Sequence, residues 1–222
     1  MGRLIVVDGL DGCGKSTQLE RLDAYFRQSG IPYKQISFPD YQNPSSALVK
    51  LYLDGSLGKH PSDVNAYASS TFYAVDRYAS FKQFWQTEYE RGDLIVAARY
   101  VTSNAIHQMS KLPREEWDGY LDWLQEFEYD RLGLPRPNSV VFLDMPPEVA
   151  DKLVMSRYAG DAAKKDIHER DAAYLAACRP AALYVAEKWG WHVIACAADG
   201  EPRKIEDITA DILAAVKGDL AL

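Results

Sequence analysis

Cysteine is scarce: Cys13, Cys178 and Cys196 are the only three in 222 residues. An odd number without paired spacing excludes a disulfide framework and a thiolate metal site, and predicts reduced thiols. The four histidines, His60, His107, His168 and His192, are scattered, which argues against a histidine metal site. Cationic charge is also short. Lys and Arg number 25 against 32 Asp and Glu, a net charge of −7, which excludes a broad nucleic-acid surface. No apolar run approaches the length of a membrane span. The first apolar segment starts at Leu4, so no signal peptide is expected and a cytoplasmic location is. No Asn-Lys-x-Asp-like guanine-reading run, internal repeat, linker or low-complexity segment is present.

What is there is Gly9-Leu10-Asp11-Gly12-Cys13-Gly14-Lys15-Ser16, of the form G-x-x-x-x-G-K-[ST]. Leu4-Ile5-Val6-Val7 before it reads as a buried strand, and Thr17-Gln18-Leu19-Glu20-Arg21-Leu22 after it as an amphipathic helix. In that context the glycines let backbone N–H groups converge on an anion at a helix N-terminus. Lys15 would reach the outer phosphates of a nucleotide, and the Ser16 hydroxyl would ligate Mg²⁺. An acidic protein that binds polyanions must concentrate its cations locally. Cys13 lies inside the loop, so its alkylation is expected to block nucleotide binding.

The rest of the chain alternates. Strands are expected at about Arg3–Asp8, Tyr33–Phe38, Leu94–Ala98, Val140–Asp144 and His192–Cys196. Helices are expected at about Ser16–Ser29, from Asn43-Pro44-Ser45-Ser46 to Leu53, and at Asp63–Arg91 with Ser62 as cap. Others open near Thr102 and cover Arg114–Arg131, the stretch after Pro146-Pro147, His168–Trp189 and Ile205–Val216. This predicts one α/β domain over residues 1–222, a five-stranded parallel sheet with helices on both faces. Ligands of such sheets sit beyond the carboxyl ends of the strands. That gathers Gly9–Ser16, Phe38–Tyr41, Arg99–Asn104 and the segment after Asp144 around one cleft.

The ordered set of motifs resembles the thymidylate kinase family along essentially the whole chain. The loop GLDGCGKST is close to that family's form. Phe38-Pro39 stands where the family has Phe-Pro-Arg-Tyr. Tyr73-Ala74-Val75-Asp76-Arg77 stands where it has an aromatic one helical turn before an arginine. Ala98-Arg99-Tyr100 with Ser103-Asn104 stands where it has Asp-Arg-Tyr and a downstream Asn, and about residues 157–169 resemble its lid. The resemblance implies a phosphate-loop kinase that moves the γ-phosphoryl of ATP to dTMP with Mg²⁺, usually as a homodimer. The attacking phosphate oxygen is already ionised, so the reaction needs alignment and charge neutralisation rather than a general base.

The implied roles follow. Asp11, Gly12, Cys13, Gly14, Lys15, Ser16 and Thr17 surround the donor phosphates, with Ser16 on the metal. Arg99 bridges the acceptor and transferred phosphates. Phe38, Pro39 and Tyr41 wall the acceptor pocket, and Asp11 borders it. Tyr73 stacks on the base, Arg77 holds its edge, and Asn104 or Gln108 reads its polar groups. Asp76 is the nearest partner for Arg77, by a local route. The phosphate loop carries no arginine, so a type II-like lid supplies cations from Arg157, Lys164 and Lys165. Asp166 and Glu169 match acidic positions of the family with no role assigned.

Two positions depart from the pattern. Asp40 replaces the arginine after Phe-Pro, so that phosphate contact is lost or partly taken by Tyr41. Ala98 replaces the aspartate of Asp-Arg-Tyr, a strand-end carboxylate of the kind that helps hold Mg²⁺ or its waters. Asp8, Asp11 and Asp144 are the carboxylates expected to compensate. Two other readings stay open at this point: a kinase for another nucleoside monophosphate, and a catalytically silent nucleotide-binding protein.

Overall fold

Alternation along the strands decides which core each side chain enters. The computed structural model describes residues 2–158 and 167–220. Its strands are β1 (Arg3–Gly9), β2 (Tyr33–Ser37), β3 (Leu94–Ala98), β4 (Ser139–Asp144) and β5 (His192–Ala195). They form one parallel sheet in the order β2-β3-β1-β4-β5. Leu4, Val6, Ile95, Ala97, Val140 and Phe142 enter one core, while Ile5, Val7, Leu94, Val96, Val141 and Leu143 enter the other. Both faces are therefore buried, which is why the central strands carry continuous apolar runs, over residues 4–7, 94–98 and 140–143, rather than alternating ones.

The helices are α1 (Lys15–Gln28), α2 (Ala47–Leu53), α3 (Ala66–Ser80), α4 (Gln86–Arg91) and α5 (Val101–His107). Then follow α6 (Trp117–Gln125), α7 (Pro147–Tyr158), α8 (Ile167–Arg170), α9 (Ala172–Trp189) and α10 (Ile205–Leu220). Leu19, Leu22 and Phe26 of α1 and Ile208, Ile212 and Val216 of α10 fill one core. Helices α5, α6 and α9 supply the other, with Ala105, Leu121, Leu124 and Ala182. A smaller cluster of Val49, Tyr52, Leu53 and Ile167 ties α2 and α8 together, with Phe72 and Tyr73 of α3 packed against it.

The expected strands all form, within one or two residues of their expected ends. Three helices differ from expectation. Asp63–Arg91 is not one helix capped at Ser62. A 3-10 turn covers Pro61–Asp63, and α3 begins after Asn65, whose side chain accepts from the Ala68 N–H at 2.8 Å. Asn65 satisfies one of the orphan donors of the helix end, so it sets the boundary. A π-helical turn, Phe81–Trp85, then joins α3 to α4. The second is His168–Trp189, which splits at Asp171; that carboxylate accepts from the Tyr174 N–H at 3.0 Å and starts α9. Arg114–Arg131 also changes pitch, ending in a π-helical turn at Glu126–Arg131.

Candidate active site

The turn from β1 to α1 is closed by its own chemistry. A Cβ on Gly9 would fall 2.6 Å from Cys13 Sγ and 2.9 Å from the Leu143 carbonyl oxygen, so no side chain fits there. Gly14 caps α1 with φ +84°, a left-handed conformation that suits glycine. Lys15 Nζ folds back to the Gly9 carbonyl at 2.9 Å and lies 3.7 Å from Cys13 Sγ. Ser16 stands exposed and Thr17 half-buried in the first turn of α1. The Cys13 thiol is buried at 2% exposure, which shields it from an alkylating reagent in this conformation.

Two clefts flank this loop. One, of about 390 Å³, is lined by Lys15, Ser16, Glu20, Asp23, Ser37, Phe38, Ala98 and Arg99 among others. The second, of about 190 Å³, brings together Asp11, Phe38, Pro39, Tyr41, Tyr73, Arg77, Arg99, Asn104 and Gln108. Every residue expected at the acceptor side thus lines one cavity. Arg99 and Phe38 belong to both clefts and form the wall between them.

Arg99 is held there at a cost. Its φ is +64°, rare for a residue with a side chain and worth roughly 1–3 kcal/mol of strain. Its N–H still pairs with the Val7 carbonyl at 3.1 Å, so the strand end is intact. The guanidinium donates to Asp11 Oδ1 at 2.7 Å and to Asp8 Oδ1 at 3.4 Å, and faces His107 Nε2 at 3.2 Å. Burial opposes its charge, but Asp11 and Asp8 outweigh burial and hold it protonated. Burial likewise raises Asp11, while Arg99 and then Lys15 pull it down to about 2.

Arg77 is fully buried, at 1% exposure. Its partner is not Asp76, as the sequence suggested, but Glu128, reached twice at 2.7 and 2.6 Å. A third N–H of the guanidinium donates to the Tyr100 carbonyl at 3.3 Å. Asp76 instead accepts from the Asp40 N–H at 2.8 Å and the Ser45 hydroxyl at 2.7 Å, fixing the loop after β2. The Asp40 carboxylate accepts from Asn43 Nδ2 at 2.7 Å, so it closes the turn of its own loop. Asn104 Nδ2 is shared between Glu128 at 2.9 Å and the Ser70 carbonyl at 3.2 Å, and Gln108 Oε1 accepts from Ser69 at 2.8 Å. Tyr73 lines the cleft edge-on to Tyr52, with ring centroids 6.4 Å apart.

Two histidines join the site that the sequence left scattered. His107 and His168 both line the acceptor cleft, their rings stacked 5.9 Å apart. Burial first, then Arg99, lowers His107 to about 3. A neutral imidazole facing a guanidinium donor accepts at Nε2, which leaves its proton on Nδ1, 3.6 Å from Cys178 Sγ. His168 Nε2 lies 2.8 Å from the Tyr52 hydroxyl, which accepts from Lys111 Nζ at 2.7 Å and donates to the Pro61 carbonyl at 3.2 Å. Burial and then His107 put His168 well below its ordinary range.

None of the three carboxylates expected to compensate for Ala98 is uncommitted. Asp8 takes the Gly9 N–H and Arg99 on one oxygen, and the Thr102 and Ser103 hydroxyls at 2.6 and 2.7 Å on the other. Asp11 is bound to Arg99, and Asp144 to Arg179 through two contacts of 2.8 Å. Of the expected lid residues, Arg157 falls on the last turn of α7. Its side chain, with Lys164, Lys165, Asp166 and the side chain of Glu169, lies outside the described residues.

The chain is similar to known proteins along most of its length. A family model described as thymidylate kinase matches residues 7–212. The thymidylate kinase of Mycobacterium tuberculosis is 32% identical over 207 residues, covering 91% of this chain and 94% of that one. The Caenorhabditis elegans thymidylate kinase is 28% identical over 67% of this chain and 66% of its own. A solved thymidylate kinase structure from Candida albicans superposes with a TM-score of 0.69 at 21% identity, covering 98% of this chain and 93% of that one. That likeness shows the fold, and the family model together with the mycobacterial relative shows more: the chain belongs to the thymidylate kinase family of phosphotransferases.

Proposed function

We propose that this chain, as one domain, transfers the γ-phosphoryl of ATP to dTMP, giving dTDP and ADP. The observation that carries the reading is Arg99: one charged side chain, in a strained backbone, on the wall shared by the phosphate-loop cleft and the acceptor cleft. A guanidinium there grips oxygens of the acceptor and of the phosphoryl in transit. Lys15 and the loop N–H groups hold the donor phosphates. Thymine lies in the acceptor cleft against Phe38 and Tyr73. Its polar edge meets the N–H groups that Arg77 does not give to Glu128 and Tyr100, with Asn104 and Gln108 beside them. Asp11, Pro39 and Tyr41 border the sugar and phosphate. Arg157, Lys164 and Lys165 close over the donor in a type II-like manner. The neutral imidazoles and apolar walls keep water from the transferred group.

Mg²⁺ fits the donor set, because the exposed Ser16 hydroxyl and nearby carboxylate oxygens are hard ligands. When bound, it neutralises charge between the donor phosphates. All three cysteines are free thiols, which supports a cytoplasmic enzyme, and among the described residues no helix is long and apolar enough to cross a membrane. Tyr67, Val75 and Tyr78 expose 39%, 45% and 40% along one face of α3, the apolar stripe on which two copies would pair as a homodimer.

Protein incubated with ATP, Mg²⁺ and dTMP should release ADP and dTDP in equal amounts. One observation favours a second reading, a silent nucleotide-binding protein: Ala98 leaves the end of β3 without a carboxylate. Binding of ATP and dTMP with no dTDP formed would establish that reading instead.

A further inference from the structure

The cleft that contains Ala98 holds two carboxylates, and only one is already engaged. Asp23 accepts from Arg27 through both oxygens at 2.9 Å, and also from the Tyr33 hydroxyl. Glu20 has no hydrogen-bond or ion-pair partner among the described residues, although it lines the same cleft as Ser16, Lys15, Ala98 and Arg99. Its place on α1 matters. Glu20 lies four residues after Ser16, so the two share a helical face with their Cβ atoms roughly 5–6 Å apart. Side chains on a helix lean toward its N-terminus, which points the Glu20 side chain back toward Ser16 and the phosphate loop.

A strand carboxylate at position 98 would enter this cleft from β3. Here the methyl group of Ala98 leaves the strand side of the cleft without a carboxylate, with only the neutral Gln35 and Ser37 of β2 beside it, while Asp8, Asp11 and Asp144 are committed to other donors. We propose that Glu20 supplies the acceptor from the opposite wall, taking hydrogen bonds from the water shell of the nucleotide-bound Mg²⁺ that Ser16 ligates. The carboxylate has moved from the strand to the helix, and the metal is steadied from α1 rather than from β3. Mg²⁺ gives up its waters reluctantly, so a carboxylate that binds through water is enough. This inference rests on the nucleotide-binding reading above.

The test uses Mn²⁺ as the probe and ADP as the nucleotide, so that no turnover is involved. Mn²⁺ affinity of the protein–ADP complex is measured by electron paramagnetic resonance for wild type, Glu20→Gln and Asp23→Asn. ADP affinity is measured separately in EDTA. Outer-shell partners of a metal typically contribute 10–100-fold to its affinity. Glu20→Gln should therefore weaken Mn²⁺ binding at least tenfold and leave metal-free ADP affinity unchanged. Asp23→Asn removes the same charge from the same cleft and should leave Mn²⁺ affinity within twofold. Glu20 is exposed and the change is isosteric, so the fold is not at stake. A Glu20→Gln variant that binds Mn²⁺ like wild type, or equal weakening in both variants, overturns the inference alone. Wild-type protein that binds neither ADP nor Mn²⁺ overturns the functional reading and this inference with it.

Discussion

Arg99 combines the three features that mark a working residue: strained backbone, paired charge and a position on two cavities. Removing one preorganised electrostatic contact costs about 10²–10³ in rate in measured parallels. Arg99→Ala should lower kcat by about that factor and also lower the melting temperature, since alanine keeps the strained left-handed backbone and leaves Asp11 and the buried Asp8 without their cation. A kcat within threefold of wild type would contradict its assignment. His107 makes a different prediction, about pH. An unfolded histidine titrates near 6.5, whereas burial and Arg99 keep the native imidazole neutral down to about 3. Between these values the unfolded chain binds more protons, so stability is full above pH 6.5 and falls as pH drops toward 3, by up to about 1.4 kcal/mol per unit. His168, shifted in the same direction, adds to that loss. Urea denaturation between pH 6.5 and 4.5 should show a shallower slope in His107→Gln; an identical slope would show that His107 charges in the native state.

Among the elements, the π-helical turn at Glu126–Arg131 does the most for the site. It carries Glu128, completely buried, to the Arg77 guanidinium and the Asn104 amide. Breaking a buried pair by deleting one partner costs about 3–5 kcal/mol, because the other charge is left unpaired. Glu128→Ala should lose that much in chemical denaturation, against about 1 kcal/mol for the exposed helix cap Asn65→Ala. A loss below 1 kcal/mol at Glu128 would mean that Arg77 finds another acceptor. This ion pair was not legible in the sequence. Its partners lie 51 residues apart, and helical periodicity carries no sign of where a helix widens to π pitch. The strands were legible because two-sided burial writes a continuous apolar run. The start of α3 was misread because Ser62 and Asn65 are both good caps, and only the Asn65 hydrogen bond decides between them.

For the whole molecule, the phosphate loop and the parallel order place Asp11, Phe38, Pro39, Tyr41, Arg99 and Asn104 at one cleft, whereas Tyr73, Arg77 and Gln108 were legible only through the resemblance to the family. The histidine pair was not legible, because α5 and α8 meet only through tertiary packing around Tyr52 and Tyr174. The missing carboxylate at position 98 was visible at once, but the commitments of Asp8, Asp11 and Asp144 were not. Pairing of two copies belongs to this scale as well. Val75→Glu places a charge in the middle of the α3 stripe and should convert a dimer to a monomer by light scattering at micromolar concentration; a wild-type monomer would end that part of the account. The central claim is the acceptor itself, and a direct comparison tests it most simply. ADP release should be followed under identical ATP and Mg²⁺ with dTMP, AMP and GMP in turn. The account predicts the highest kcat/KM for dTMP, and a higher value for AMP or GMP would contradict it.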